Sequence, residues 1–278
     1  MSARRDANFV STLLTAAEAL AEAAGDLTLG YFGGRVPDEA KDDGSPVTRA
    51  DREAEALLRA GILERFPTHG ILGEEYGEHA GTDPVRWIVD PIDGTRSFMR
   101  GVPLYGVLIG IEVEGEPVVG VAHFPALRET VSAGTGLGCR WNGRRAQVND
   151  TSDLVRSVVL TSDSEMSRAS ARCPGWTGLL GEIDYLRSWG DAYGHALVAT
   201  GRAEIMVDAV LSPWDAAPLL PILTEAGGRF TDLEGQSGIH GGSGISTNGV
   251  LHERVLELLR TPGSHGSHGA SGTSGAAG

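Results

Sequence analysis

Two aspartates three residues apart are the part of this sequence with the most specific chemistry. Asp90 and Asp93 lie in the run Trp87–Thr95, which reads WIVDPIDGT. The apolar residues before Asp90 predict a buried strand, and the proline and glycine that follow predict a turn. Gly94 and Thr95 can offer free backbone N–H groups to an anion where a helix begins. Mg2+ prefers carboxylate and carbonyl oxygens and keeps positions for water or phosphate. The run therefore predicts a site for a phosphate ester beside a divalent cation.

Two further segments carry acids in comparable settings. Gly73-Glu74-Glu75 follows the apolar pair Ile71-Leu72. Trp214-Asp215-Ala216-Ala217 opens a stretch that ends in Glu225-Ala226-Gly227-Gly228. The alternative interpretation is that the acids of all three segments only cap helices.

The three segments resemble, in order and spacing, the inositol monophosphatase superfamily of Mg2+-dependent, lithium-sensitive phosphatases. The similarity runs from about Phe9 to Leu259. It implies an α/β fold with α+β layering, an αβαβα five-layer sandwich of the inositol monophosphatase/fructose-1,6-bisphosphatase type. It also implies a small-molecule phosphomonoester substrate, two or three Mg2+ ions per site, and a homodimer.

The resemblance assigns the cation ligands residue by residue. Glu74, Asp90 and the backbone carbonyl of Ile92 would hold one Mg2+, and Asp90, Asp93 and Asp215 a second, so that Asp90 bridges. Two metals about 3.5–4 Å apart can clamp the attacking and leaving oxygens of an in-line displacement. Clustered carboxylates repel one another without cations, which argues against a purely structural role. For Asp215 the alternative is that it only caps a helix.

Members of the family activate the attacking water with a threonine and an aspartate from separate segments. Thr95 matches the first and Asp51 the second, and Glu74 is placed beside them as a catalytic residue. Asp51 could instead be an ordinary acid in the first turn of a helix. The resemblance places Glu75 behind the ligands, and Lys41 is either the family's basic loop residue or a solvated lysine.

The run Arg187–Gly194, which reads RSWGDAYG, departs from inositol monophosphatases and is similar to histidinol-phosphate phosphatases, enzymes of histidine biosynthesis. The segments Arg100–Pro103 and 240–242 agree with this. The expected reaction is hydrolysis of histidinol phosphate to histidinol and phosphate. The alternatives are an inositol-1-monophosphatase or another sugar-phosphate phosphatase, and a non-catalytic partner in a transcription complex.

The predicted substrate contacts follow from the cationic groups of histidinol phosphate, an ammonium and an imidazole. Carboxylates of Asp191 and Asp208 would complement that charge, and Trp189 could pack against a ring or an ammonium. Gly94 and Thr95 would contact the phosphate. Carboxylates also accept hydrogen bonds from the hydroxyls of a polyol, and Trp189 could instead be a core residue.

The composition excludes several classes of protein. The 278 residues carry a net charge of −14 without a basic block, which argues against nucleic-acid binding. The two cysteines are too few for a disulfide framework and are not clustered as in a zinc site. The N-terminus lacks a secretory signal, and no apolar stretch is long enough to span a membrane. We therefore expect a cytoplasmic enzyme.

Apolar spacing predicts the elements that carry these residues. We expect helices over residues 9–24, ending at Gly25, over 50–66, over 191–200, from about 215 to 227, and over 249–260 with Thr247 or Asn248 as cap. We expect strands at 86–90, 105–113, 117–123, 129–133, 137–141, 158–160 and 203–207, with a hairpin turn at 114–117.

The order of elements predicts two halves. Residues 1–150 would form an α+β half with the metal-binding motifs, and residues 151–261 an α/β half with the substrate-recognition residues. Residues 262–278 are rich in Gly, Ser and Ala and have too little apolar content to fold, which predicts a disordered tail.

Overall fold

The structure is a computed structural model that describes residues 6–34, 38–40, 46–162 and 173–261. Lys41, most of the loop predicted around it and the predicted tail lie outside the described residues. The helices of the described part are α1 (Ala7–Leu29), α2 (Arg49–Arg65), α3 (Thr95–Met99), α4 (Trp176–Leu180), α5 (Ala192–Ala199), α6 (Pro213–Glu225) and α7 (His252–Arg260). Among these residues, none of the helices combines the length and apolar character that crossing a bilayer requires.

The strands form a two-stranded ribbon and two larger sheets. Their bounds are β1 (Asp38–Ala40), β2 (Pro46–Thr48), β3 (Gly70–Gly73), β4 (Gly77–His79), β5 (Val85–Asp93), β6 (Gly106–Val113), β7 (Glu116–Phe124), β8 (Glu129–Gly134), β9 (Gly138–Trp141), β10 (Arg144–Arg145), β11 (Val158–Leu160), β12 (Tyr185–Arg187), β13 (Ile205–Asp208), β14 (Arg229–Thr231) and β15 (Gly244–Thr247). The strands β1 and β2 pair with each other as the ribbon.

The larger sheet has eight strands in the order β10-β9-β8-β7-β6-β5-β3-β4. The predicted hairpin between β6 and β7 is present, with Glu114 and Gly115 at φ 57° and 79° as its two turn residues. Such left-handed pairs match the twist of the flanking strands. Strands β3 and β5 are parallel, so their carboxyl ends meet at one edge of the sheet. Glu74 follows the first of these strands, and Asp90 and Asp93 end the second.

The second sheet has five strands in the order β12-β11-β13-β15-β14. All of its strands follow residue 150, and all strands of the eight-stranded sheet precede it. The helix α6 from the later part nevertheless packs on β6 and β7 of the earlier sheet. The two parts of the chain therefore share one interior layer.

Apolar side chains divide the molecule into five layers. Helices α1 and α2 cover the outer face of the eight-stranded sheet through residues such as Leu13 and Leu58. Helices α5 and α6 fill the space between the sheets, where Leu219 belongs to one core with strand residues of both. Helices α4 and α7 cover the outer face of the second sheet, with Leu179 and Val255 buried against it. This is the expected αβαβα sandwich.

Two helix ends differ from the prediction. The helix α1 continues through Gly25 to Leu29, because Gly25 is a packing position: a methyl group there would lie 2.6 Å from the His123 ring. The helix α7 begins at His252, and its N-cap is Leu251. Asn248 instead accepts a hydrogen bond from the Leu251 N–H, in the turn that precedes the helix.

Candidate active site

A break in strand pairing brings Asp90 and Asp93 to the same side of β5. Asp90 pairs with Leu108 and Asp93 with Gly106, so three steps on β5 oppose two on β6. In a regular strand, side chains three residues apart point to opposite faces. The extra residue turns the Asp93 side chain to the same side as Asp90, and bulges beside functional sites commonly redirect a side chain in this way. The Ile92 N–H donates to Asp90 Oδ1 at 2.9 Å and holds the turn.

Asp215 reaches the same place from the second half of the chain. It is the third residue of α6, where its side chain accepts the Ser212 N–H at 2.8 Å in a capping box. Carboxylate oxygens of Asp90, Asp93 and Asp215 lie within 4.8 Å of one another. Asp215 is therefore both a capping residue and a member of the cluster, and the two interpretations of its role do not compete.

Glu74 completes the predicted ligand set. Its N–H donates to the carbonyl of Val89 at 3.3 Å, which fixes the chain after β3 against β5. Its carboxylate lies close enough to Asp90 to raise the pKa of that acid, through charge and a shared hydrogen bond. The four predicted acidic ligands thus converge at the common edge of β3 and β5.

The acids of the cluster are buried and repel one another, and a bound cation would offset that repulsion. Burial raises the pKa of Asp90 well above its usual range, and negative charge on Glu74, Asp215 and Asp93 raises it further. Burial likewise raises the pKa of Asp215 to about 7. Hard oxygen donors that repel one another in a buried cluster are the ligands that Mg2+ prefers. The residues present fit a divalent cation.

Asp51 and Thr95 meet although they come from different elements. The Thr95 hydroxyl lies 3.4 Å from Asp51 Oδ1 and 3.1 Å from the Ile92 carbonyl. Asp51 also closes the capping box of α2 by accepting the Thr48 N–H at 2.8 Å. Burial raises the pKa of Asp51, and the charge of Glu74 adds to the increase. Asp51 and Thr95 therefore lie beside the cluster of Asp90, Asp93 and Asp215.

Asp191 lies over the turn that follows Asp93. A methyl group on Gly94 would be 2.7 Å from Asp191 Oδ2, so only glycine leaves room there, and Gly94 also has a left-handed φ of 77°. Asp191 itself has a φ of 55°, a strained conformation for a non-glycine residue. Its N–H donates to Ser162 Oγ at 2.7 Å, which holds this conformation. Burial, followed by the charge of Asp208, raises the pKa of Asp191 to about 6.

A hydrogen bond joins the segment Arg187–Gly194 to the cluster of Asp90, Asp93 and Asp215. The Ala192 N–H, at the start of α5, donates to Asp93 Oδ2 at 2.8 Å. The strained residue Asp191 is therefore close in space to Asp93, although 98 positions separate the two in sequence.

Asp208 is placed by a buried histidine that the sequence did not single out. His195 Nε2 lies 3.2 Å from Asp208 Oδ2, and His195 Nδ1 lies 2.7 Å from Ser246 Oγ. The Ser162 N–H donates to Asp208 Oδ1 at 3.1 Å. The only sequence signal for His195 is its position four residues after Asp191, which places both near the start of one helix.

Trp189 is 44% exposed, so it is not a core residue.

Glu55 is fully buried on α2 and contacts the chain just after Glu74. Glu55 follows Asp51 by one helical turn but lies in none of the three acidic motifs of the sequence.

The chain is similar in sequence to known proteins. Residues 10–263 match the sequence model of the Inositol monophosphatase family. A histidinol-phosphatase of Chlorobaculum parvum is 46% identical over 239 residues, which are 85% of this chain and 92% of the relative. A histidinol-phosphatase of Mycobacterium tuberculosis is 39% identical, over 88% of this chain and 97% of the relative. An inositol-1-monophosphatase of Mesorhizobium japonicum is 34% identical, over 80% and 85%.

A solved structure has the same fold. The extragenic suppressor protein suhB from Bartonella henselae superposes with a TM-score of 0.84 at 29% identity, over 90% of this chain and 99% of that one.

Proposed function

This chain belongs to the inositol monophosphatase family and is a phosphoric monoester hydrolase, and we propose that its substrate is histidinol phosphate. The products would be histidinol and phosphate, in a reaction of histidine biosynthesis. The observation that carries the proposal is the position of Asp191. Its carboxylate lies over Gly94, beside the buried acids, where it adds negative charge next to the place expected for the phosphate. A substrate with a cationic end would offset that charge.

The proposed cation is Mg2+, with two or three ions per site. Glu74, Asp90 and the Ile92 carbonyl would hold one, and Asp90, Asp93 and Asp215 another. Bound Mg2+ supplies positive charge that attracts phosphate oxygens, offsets the carboxylates and makes water more acidic. The proximity of the three aspartates and the raised pKa values of Asp90 and Asp215 support this assignment.

Asp51 and Thr95 would orient the attacking water and accept its proton. The Thr95 hydroxyl can accept a hydrogen bond from water while it donates to Asp51 Oδ1, 3.4 Å away. The raised pKa of the buried Asp51 makes it a stronger base than an exposed aspartate. The water oxygen would form a bond to phosphorus while Asp51 takes up its proton, and the bond from phosphorus to the histidinol oxygen would break. That oxygen would take a proton from solvent water and leave as the histidinol hydroxyl. The backbone N–H groups of Gly94 and Thr95 would contact phosphate oxygens.

Three residues would recognise the rest of the substrate. Asp191 would pair with a cationic group, and the exposed ring of Trp189 would pack against the ammonium or imidazole. Asp208, held by His195 and Ser162, would add negative charge behind Asp191. The 46% identical histidinol-phosphatase supports this choice of substrate.

The test is phosphate release by the purified full chain with Mg2+. Histidinol phosphate would be compared with inositol 1-phosphate, fructose 1,6-bisphosphate and adenosine 3′,5′-bisphosphate. We expect the highest kcat/KM for histidinol phosphate and loss of activity in EDTA. A higher kcat/KM for inositol 1-phosphate would contradict the proposal. It would favour the second candidate, which the 34% identical inositol-1-monophosphatase supports.

The same assay separates an enzyme from a binding module, because a chain that acts only as a partner in a complex would release no phosphate from any of these esters. The family resemblance also implies a homodimer, which light scattering of the purified protein would test.

A further inference from the structure

Glu55 is a buried carboxylate that accepts hydrogen bonds from the backbone of the chain just after Glu74. It lies on α2 with none of its surface exposed. Its Oε2 accepts the Glu75 N–H at 2.6 Å, and its Oε1 accepts the Tyr76 N–H at 3.1 Å. A buried charge is stable only when hydrogen bonds or counter-charges satisfy it. These bonds therefore hold the two residues after Glu74 in one fixed conformation.

Two other residues complete the arrangement. Arg59 Nε donates to Glu55 Oε1 at 2.7 Å, and a second nitrogen of Arg59 donates to the Gly77 carbonyl at the other end of the turn. Glu55 also occupies the space where residue 73 would carry a side chain, so Gly73 is required for the carboxylate to approach. The turn from Gly73 to Gly77 is thus held at both ends from α2.

The same helix carries Asp51, four residues before Glu55, and residues at this spacing lie on one helical face. Asp51 Oδ1 lies 3.4 Å from the Thr95 hydroxyl, and Glu55 accepts hydrogen bonds from the two residues after Glu74. One rigid helix therefore fixes the distance between the acid that faces Thr95 and the turn that carries Glu74.

We propose that Glu55 is a positioning residue for cation binding: through the backbone N–H groups of Glu75 and Tyr76 it sets the Glu74 carboxylate against Asp90 and Asp51. The inference rests on the proposed role of Glu74 as a cation ligand and not on the identity of the substrate. Residues that orient metal ligands from behind typically affect affinity or activity by about 10- to 100-fold when they are changed.

The test is direct binding of Mn2+ and Mg2+ to the full chain, by calorimetry and by the increase in Tm that each metal causes, without substrate. Glu55→Gln keeps the size of the side chain but faces three N–H donors, from Glu75, Tyr76 and Arg59, with only one acceptor oxygen. Glu53→Gln is the matched control, because Glu53 lies on the same helix and pairs with Arg49 and Tyr31. Glu55→Asp keeps the charge but shortens the side chain.

We expect Glu55→Gln and Glu55→Asp to weaken metal binding about 10- to 100-fold, and Glu53→Gln to bind as the wild type does. The metal concentration for half-maximal phosphate release should rise in parallel, with little change in KM at saturating metal. If Glu55→Gln does not fold, Arg59→Lys is the second variant. It should weaken metal binding by a smaller factor than expected for Glu55→Gln, because it loosens Glu55 without removing it.

Unchanged metal affinity in Glu55→Gln, even with a lower Tm, would show that Glu55 is merely structural. Wild-type affinity in Glu55→Asp would show that charge matters and position does not. A wild-type chain that binds neither metal would instead contradict the proposed cation site, so the two failures are distinguishable.

Discussion

At the scale of single residues, the site consists of acids that each serve two purposes. Asp51 closes the capping box of α2 while its other oxygen lies 3.4 Å from the Thr95 hydroxyl, and Asp215 closes the capping box of α6 and belongs to the cluster. Asp93 accepts the Ala192 N–H with one oxygen and contributes to the cluster. The hydrogen bonds that cap these helices therefore also position the acids, and the cost of gathering the acids is partly offset by these bonds from the backbone.

Replacing Asp93 by Asn should lower kcat by orders of magnitude, because a charged ligand is lost while the amide oxygen can still accept the Ala192 N–H. The same change should raise the Tm measured in EDTA, since one of several repelling carboxylates is removed. The increase in Tm that Mg2+ causes should shrink. Turnover close to that of the wild type at saturating Mg2+ would contradict the ligand assignment.

Replacing Asp191 by Asn should lower kcat/KM for histidinol phosphate about 10- to 100-fold, because it removes a charge-assisted hydrogen bond worth roughly 1.5–3 kcal/mol. Hydrolysis of p-nitrophenyl phosphate should barely change, since that ester has no cation. The exposed Asp184 lies in the same part of the chain, and Asp184→Asn is the control that should leave both rates unchanged. Equal losses on the two esters would show a general defect instead of a change in specificity.

At the scale of elements, close contacts with side chains at strand ends determine the positions of helices α1 and α7. The helix α1 passes the β7 end at Gly25, where a methyl group would lie 2.6 Å from His123 and 2.9 Å from Pro125. The helix α7 docks through His252, which lies 3.0 Å from the hydroxyls of both Thr231 and Thr247. Both contacts join a helix to a strand end, and each gives a test.

Replacing Gly25 by Ala should destabilise the protein by about 1–3 kcal/mol, because the added methyl overpacks the contact with His123. This loss should exceed the roughly 1 kcal/mol by which alanine ordinarily favours a helix interior. Gly178→Ala in α4 is the control, as nothing lies within 4 Å of its added methyl. Urea unfolding measures both, and a Gly25→Ala variant as stable as the wild type would contradict the packing argument.

Burial lowers the pKa of His252 from 6.5 to about 4. Between these values the unfolded state binds the proton and the folded state does not, so stability should fall by up to about 3 kcal/mol as the pH drops from 6.5 to 4. His252→Gln should be less stable at pH 7 but should lose less on acidification. The exposed His240 is the control, and His240→Gln should keep the wild-type pH profile of urea unfolding.

At the scale of the whole molecule, the two sheets share the layer formed by α5 and α6. Leu219 and Ile222 of α6 are buried in a core that includes Leu108 of the first sheet and Met206 of the second. The cluster depends on this layer, because Asp215 begins α6 and Asp93 bonds to the start of α5. Packing between the sheets and assembly of the site are thus coupled.

Replacing Ile222 by Ala should destabilise the whole protein by about 2–5 kcal/mol and leave a single unfolding transition, since both sheets lose contacts at once. Scanning calorimetry would detect this. The control is Val250→Ala, because Val250 is 58% exposed and should contribute little. Two separate transitions in the Ile222→Ala variant would show that the halves unfold independently.

Local signals predicted most of the fold and of the acidic cluster. The periodicity of apolar residues identified the long helices and the strands β5 to β9 of the large sheet, where each element buries a continuous face. Short elements such as β12, β14 and β15 were missed, because three or four residues give too few repeats to reveal a period. The predicted ends of α1 and α7 were wrong for a different reason. A glycine or asparagine in the sequence does not show whether it packs against a neighbour, caps a helix or precedes one.

The sequence by itself determined the family and the layered fold. It also predicted the acids of the proposed cation site, because each of them lies in a contiguous motif at the end of an apolar strand or the start of a helix. Only the tertiary structure decided which other side chains support them. Glu55 reaches the Glu75 backbone across 20 positions, and His195 reaches Ser246 across 51. Contacts between distant residues depend on how the layers pack, and no local pattern in one chain records that packing.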